Sequence, residues 1–206
     1  MCGRYVSAST PDEIGRYFDV DEATERAVEP SYNVAPTDDV FVVLDDGGVR
    51  RLDAYHWGLV PFWAKDPSVG SRMINARAEG IAHQGAYQRA FRKRRCIVPA
   101  DGFYEWRKEP GTKAKQPFFI HRTDHEPLAF AGLWEIWRGP TRRGPELLRS
   151  CTIITTTPNE VLAPIHDRMP VLLPATAWDA WLDPATDDLD ALGALLGPAP
   201  SGLLTL

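Results

Sequence analysis

Val40-Phe41-Val42-Val43-Leu44-Asp45-Asp46-Gly47-Gly48, with the residues that follow it to Trp57, is the stretch on which the fold turns. Val40 to Leu44 is an unbroken apolar run rich in valine, the composition of a strand. Asp45-Asp46-Gly47-Gly48 is turn chemistry, and the segment from there to Trp57 returns as a second strand. Further β runs follow at Cys96–Pro99, Gly102–Arg107, Pro117–His121, Leu128–Trp137 and Leu147–Thr156, separated by loops rich in Gly, Pro, Lys and Arg. The pattern predicts an α+β fold in one compact domain over residues 1–206, dominated by antiparallel strands with short peripheral helices. No internal repeat or linker interrupts it.

The helices are expected outside this run of strands. Thr10-Pro11-Asp12-Glu13 opens a short one, with Thr10 as cap, Pro11 in the first turn and Glu13 completing a capping box. Asn75 to Arg95 is predicted as one or two helices broken near Gly85. A second capping box, Thr157-Pro158-Asn159-Glu160, predicts a short helix before His166. Ala175–Leu182 and Asp187–Leu196 are expected as terminal helices, and the chain from Gly197 onward as a frayed tail.

Composition narrows the function. The chain has 206 residues, 44% apolar and 25% charged, the proportions of a soluble globular protein. No apolar run approaches the roughly 18 residues of a membrane span, and the N-terminus lacks a signal layout. A cytoplasmic monomer with no membrane partner is therefore expected. Cys2, Cys96 and Cys151 are far apart and odd in number, so no disulfide framework is implied. No Cys-x-x-Cys pair or His/Cys cluster at metal spacing occurs, and neither metal nor cofactor is expected. The net charge of −5 argues against a nucleic-acid partner, but its distribution does not. Seven basic residues (Arg72, Arg77, Arg89, Arg92, Lys93, Arg94, Arg95) lie between Arg72 and Arg95 against one acid, Glu79. From Ala175 onward there are five aspartates and no base. The patch, not the sum, sets the local field, although a solvated helix face is the simpler reading of such a run.

Cys2 is the first chemical clue. Cysteine is small enough for removal of the initiator Met1, which leaves a residue bearing both a free α-amine and a thiol. An α-amine has a pKa of ~8 against ~10.4 for lysine, so about a tenth of it is neutral at pH 7. A neutral amine attacks an aldehyde to give an imine, and the adjacent thiol closes onto the imine carbon as a five-membered thiazolidine. No internal residue does this. The bland alternative is a small apolar residue that happens to be second.

Other segments set costly residues in apolar sequence. Trp57-Gly58-Leu59-Val60-Pro61-Phe62-Trp63 puts two tryptophans around a Pro/Gly turn, suited either to stacking on bases or to core packing. Asn75-Ala76-Arg77 places an amide and a guanidinium at an expected helix start, facing a phosphate or merely capping. Asp101-Gly102-Phe103-Tyr104-Glu105-Trp106 sets Glu105 among aromatics. If buried it is a candidate general acid or base; if the strand alternates the other way it faces water. Ile165-His166-Asp167-Arg168-Met169-Pro170 supplies an imidazole flanked by charge, and a lone histidine is more often structural.

These stretches resemble the SRAP family, the SOS-response-associated peptidase domain. The likeness is carried by Met1 to Tyr5, Tyr32-Asn33-Val34-Ala35-Pro36, Trp57 to Trp63 with Lys65-Asp66, Asn75 to Glu79, Arg95 to Trp106, Phe130 to Glu135 and Ile165 to Val171. They run in the family's order from Cys2 to about Leu182. The departures are Gly80, where a hydroxyl residue is expected, and Pro158, where alanine is.

The resemblance implies a single α+β domain with a barrel-like antiparallel core. It also implies that Cys2 forms a thiazolidine with the ring-opened sugar of an abasic site, shielding single-stranded DNA in the damage response, with AP lyase and self-processing peptidase activity associated. Asn75 would position the N-terminal residue and the opened sugar, while Glu105 and His166 move protons. Arg4, Arg77 and Arg168 would hold phosphates, and Asn33, Trp63 and Trp106 would complete the DNA contacts. Two other functions stay open at this point. Met-Cys-Gly also begins N-terminal-nucleophile amidohydrolases, and the basic patch with its tryptophans would serve a non-covalent reader of single-stranded or modified DNA.

Overall fold

The hairpin forms with the register its alternation demands: Val40 faces Tyr55, Val42 faces Asp53 and Leu44 faces Arg51. At its turn the Asp46 N–H donates to Val49 O (3.0 Å) and the Gly48 N–H to Asp45 Oδ1 (2.9 Å). Gly47 and Gly48 take φ of 70° and 86°, left-handed values that explain the residue type. The computed structural model describes residues 2–109, 111–141 and 144–206. Met1, whose removal the chemistry expected of Cys2 would require, lies outside the described residues.

In chain order the strands are β1 (Tyr5–Ser7), β2 (Glu22–Ala23), β3 (Ser31–Val34), β4 (Asp39–Asp45), β5 (Arg50–Trp57), β6 (Asn75–Arg77), β7 (Arg95–Ala100), β8 (Gly102–Lys108), β9 (Lys115–Arg122), β10 (Leu128–Thr141), β11 (Gly144–Thr156), β12 (Met169–Pro170) and β13 (Leu204–Thr205). The α-helices are α1 (Pro11–Tyr17), α2 (Gln88–Lys93), α3 (Trp178–Leu182) and α4 (Leu189–Ala194). Every strand expected from the apolar runs is present, and α1 starts on the Thr10–Glu13 capping box.

Strands β11, β10, β7, β4 and β5 are successive neighbours, each antiparallel to the next. Parallel pairing of His56 with Ser150 and Trp57 with Cys151 joins β5 back to β11. The result is a closed five-stranded barrel, mixed because of that one parallel seam and otherwise antiparallel as expected. A second sheet, in the order β13-β9-β8-β1-β3, packs beside it. Alternation along the barrel strands feeds two cores. Val42, Val98, Phe130 and Ile153 pack with Cys2, Tyr5, Phe103 and Ile120 of the second sheet and its approach. Phe41, Val43, Ile97 and Ile154 pack with Ile14, Phe91, Trp181 and Leu192 of the helices. Strands buried on both faces explain why β4 and β7 read as continuous apolar runs. Among the described residues no helix is long and apolar enough to cross a membrane.

Three local expectations are corrected. Asn75 does not start a helix: Asn75-Ala76-Arg77 forms β6, parallel to β11 with Ile153, Ile154 and Thr155 opposite. In that segment α-helix is confined to α2, because the open edge of β11 captures the chain first. The Thr157–Glu160 capping box gives turns in place of a helix. There Asn159 Oδ1 accepts from the Leu162 N–H (3.1 Å) and its Nδ2 donates to Ala199 O (3.0 Å). The tail beyond Gly197 does not fray, since Ala199 and Leu204 are buried and β13 pairs with β9.

Candidate active site

Cys2 approaches β1 with no solvent exposure in the full-length chain. Its carbonyl accepts from Asn75 Nδ2 at 2.9 Å. Asn75 is held by the β6–β11 pairing and by the Tyr87 hydroxyl, which donates to the Asn75 carbonyl (3.3 Å). Asn75 Oδ1 is buried and has no hydrogen-bond partner among the described residues. A buried acceptor of this kind is costly unless a donor arrives, so the amide is ready to receive an N–H or O–H. Burial pushes the Cys2 thiol well above its ordinary value, and the Glu105 carboxylate pushes it further in the same direction. At neutral pH it is a thiol, not a thiolate.

Glu105 reaches this site because β8 alternates. Phe103 and Glu105 face inward, both buried, while Tyr104 and Trp106 face out. The outward reading of Glu105 is thereby excluded: it is 2% exposed. Glu105 Oε2 lies 3.9 Å from His166 Nε2. His166 follows the Asn159-capped turn, its N–H donating to Leu162 O (2.9 Å). The Arg168 N–H donates to His166 Nδ1 (3.0 Å), which in the neutral ring leaves the proton on Nε2, facing Glu105. Asp167 Oδ1 lies 2.9 Å from the same Nδ1. The ring is thus held in place with Nε2 turned to the Glu105 carboxylate, an arrangement suited to proton transfer. Cys2, Asn75, Glu105 and His166, far apart in sequence, are brought together.

The expected phosphate-holding residues separate. Arg77 is exposed, on the strand that carries Asn75. Arg4 Nη1 donates to Asn33 Oδ1 (2.8 Å), so these two form one surface pair beside Tyr32. Trp63 is 58% exposed, whereas Trp57 is fully buried and donates from Nε1 to Ile74 O (2.9 Å), a core residue. Arg168 departs from the expectation of an open phosphate contact. It is 8% exposed, with its guanidinium in a bidentate pair with Glu79 (2.5 and 2.9 Å) and on Thr155 O (2.6 Å). The basic run is also divided. Arg95 is buried on backbone carbonyls, including Trp181 O (2.6 Å) and Phe91 O (2.8 Å), and Arg94 pairs with buried Glu135.

Two residues around the site escaped the sequence reading. Glu79 clamps Arg168 and so supports the backbone that faces His166; its signal was being the one acid in a basic run. Tyr87 buttresses Asn75, and nothing in its sequence neighbourhood marks it.

The family model described as SOS response associated peptidase (SRAP) matches residues 1–206. An abasic site processing protein of Bacillus subtilis, YoqW, is 44% identical over 199 residues, covering 96% of this chain and 87% of its own. Escherichia coli YedK, also called an abasic site processing protein, is 33% identical and covers 88% of this chain and 79% of its own. Among solved structures, a protein of Bacteroides thetaiotaomicron superposes with a TM-score of 0.88 over 99% of this chain and 90% of its own, at 23% identity. At that identity it speaks to the fold alone. The chain belongs to the SRAP family.

Proposed function

We propose that this protein processes abasic sites in single-stranded DNA by bonding covalently to them through Cys2 after Met1 has been removed, by the chain itself or by an aminopeptidase. The observation that carries the reading is the gathering of Asn75 and Glu105 at Cys2, with His166 facing Glu105. The names of the relatives support the substrate. On that reading the protein acts as a monomer in the cytoplasm, at damaged DNA of the nucleoid.

The raised thiol sets the order of events. The freed α-amine attacks C1′ of the ring-opened sugar, and loss of water gives the imine. Sγ then adds to C1′ while the proton given up by the thiol passes to the imine nitrogen, closing the thiazolidine. The balance is aldehyde plus aminothiol giving thiazolidine plus water. Glu105, beside Cys2, relays protons, from the amine to the departing water and from the thiol to the imine nitrogen. His166 Nε2, oriented by the Arg168 N–H, delivers a proton to the sugar oxygen as the ring opens. Asn75 holds the Cys2 carbonyl and offers Oδ1 to the α-amine. An imine left open at C1′ acidifies the neighbouring protons, so thiazolidine closure must outrun β-elimination, and a lyase activity is the side reaction of the same site.

The test is an abasic oligonucleotide run with the processed protein on a denaturing gel. A retarded band that Cys2→Ala abolishes is expected. Single-strand binding that survives Cys2→Ala with no retarded band in the parent would instead favour a non-covalent reader, and glutamine hydrolysis without a band an amidase.

A further inference from the structure

Behind Glu105, the outward face of β8 and β9 carries a row of aromatic rings that the site chemistry does not use. Tyr104 lies 6.4 Å from Trp106 and 5.3 Å from Phe119, centroid to centroid. Phe119 stacks on His121 (5.3 Å, 26° between planes), and His121 on His125 (5.0 Å, 18°). Cross-strand pairing explains Tyr104 against Phe119, which are direct partners in the β8–β9 register. It does not explain the extension through His125, a non-glycine residue held at φ 62° beyond the strand. Nor does it explain Gly102. A Cβ there would collide with the Phe119 ring, so the glycine is what lets that ring lie against the sheet. Phe119 remains 38% exposed.

Charge accompanies the rings. Lys108, Lys113 and Lys115 are exposed around the β8–β9 connection, while Arg107 is paired with Glu109 (3.4 Å). At the other side of the row, the Tyr104 hydroxyl donates to Tyr32 O (3.2 Å), next to the Arg4–Asn33 pair. Phe119 is exposed and Tyr104, Trp106 and His121 half-buried, with the lysines at one end of the row and Asp124 and Glu126 at the other. Surface rings bordered by cations hold unpaired bases by their faces and the backbone by its charge.

We propose that the Tyr104–Phe119–His121 face is a stacking track for the single-stranded DNA that flanks the processed nucleotide, continuous with Trp106 on the same outward face of β8. This rests on the proposed function for the identity of the strand, but not for the binding itself. His121 is held for it: Nδ1 lies 2.8 Å from Arg122 O, a pure acceptor, which places the proton on Nδ1 and fixes the ring.

The test uses full-length Cys2→Ala protein and fluorescent oligo(dT) without any abasic site, so that binding is read apart from crosslinking. Phe119→Leu and His121→Ala should each weaken oligo(dT) binding by roughly fivefold or more, the lower bound for losing one stacked base. Binding to a duplex of equal length should stay the same. Lys113→Ala with Lys115→Ala should lower the slope of log affinity against log salt by about 0.7 for each phosphate that a lysine no longer neutralises. Parent-like oligo(dT) affinity in folded His121→Ala and in the double lysine variant overturns the track, as does an equal loss on duplex. A parent that fails to crosslink abasic DNA while these variants lose oligo(dT) binding overturns the covalent chemistry and leaves the track standing.

Discussion

Cys2 carries two functional groups whose contributions separate by substitution. Cys2→Ser keeps the α-amine and loses the thiol. It should form an imine that borohydride traps, yet leave no adduct that survives denaturation without reductant. Retention of Met1, verified by mass spectrometry, should abolish both products while single-strand affinity persists. Wild-type crosslink yield from Met1-bearing protein would show that the amine is not the nucleophile. Asn75 makes a different demand, because its amide holds the Cys2 carbonyl and its Oδ1 awaits a donor. Asn75→Ala should slow crosslinking by about tenfold to a hundredfold, the effect of losing one or two buried hydrogen bonds at ~1–1.5 kcal/mol each. Asn75→Asp, isosteric but unable to donate, should not restore the rate; parent-like rates in both variants would remove Asn75 from the reaction. The aminothiol of Cys2 was legible from type and position, whereas the positioning role of Asn75 came only from the family resemblance. The strand under Asn75 was not legible, because its partner Ile153 belongs to a distant segment and local capping signals favoured a helix.

At the scale of elements, the connection that carries His166 is held by a clamp between segments distant in sequence. Glu79 grips the Arg168 guanidinium, Arg168 also binds Thr155 O on β11, and the Arg168 N–H faces His166. The Arg168 guanidinium holds the Glu79 carboxyl below its ordinary value. A depressed folded-state value means that the stabilisation is present above the unfolded carboxyl pKa of ~4.3 and is lost as pH falls through the folded one. The melting-temperature gap between the parent and Glu79→Gln should therefore narrow as pH drops below that range. An acid-independent gap would mean that the pair is not the source. Tyr87 gives the opposite limb. Burial pushes its hydroxyl up to about 12, so its contribution is intact below the unfolded value of ~10 and is lost as pH rises through about 12. Tyr87→Phe should flatten that alkaline loss; an unchanged alkaline limb would place its origin elsewhere. Tyr87 had no mark in the sequence and Glu79 only that of the one acid in a basic run, since each buttress is defined by a tertiary partner and not by a motif.

At the scale of the whole molecule, the strands were legible because their apolar runs are long and their turns carry Gly and Asp. The barrel was legible only through the family resemblance, because parallel pairing of β5 with β11 leaves no local signature at either segment. The same distinction governs the basic run. A sequence shows seven charges between Arg72 and Arg95, but only tertiary structure decides which remain at the surface. Arg95 is 2% exposed and donates to the carbonyls of Phe91, Arg92, Trp181, Asp183 and Thr186, tying α2 and β7 to α3. Its charge is spent inside. Arg95→Met should cost roughly 3–5 kcal/mol, because several buried carbonyls lose their donor at once, and should leave the salt dependence of oligonucleotide binding unchanged. Arg77 and Arg4 are at the surface, so alanine there should shift stability by no more than about 0.5 kcal/mol while reducing the salt slope by about 0.7 each. Denaturant unfolding and oligo(dT) titrations at several salt concentrations measure the two quantities on the same variants. A lowered salt slope in folded Arg95→Met, or a parent-like slope in Arg77→Ala and Arg4→Ala, would reverse the division between structural and DNA-facing cations.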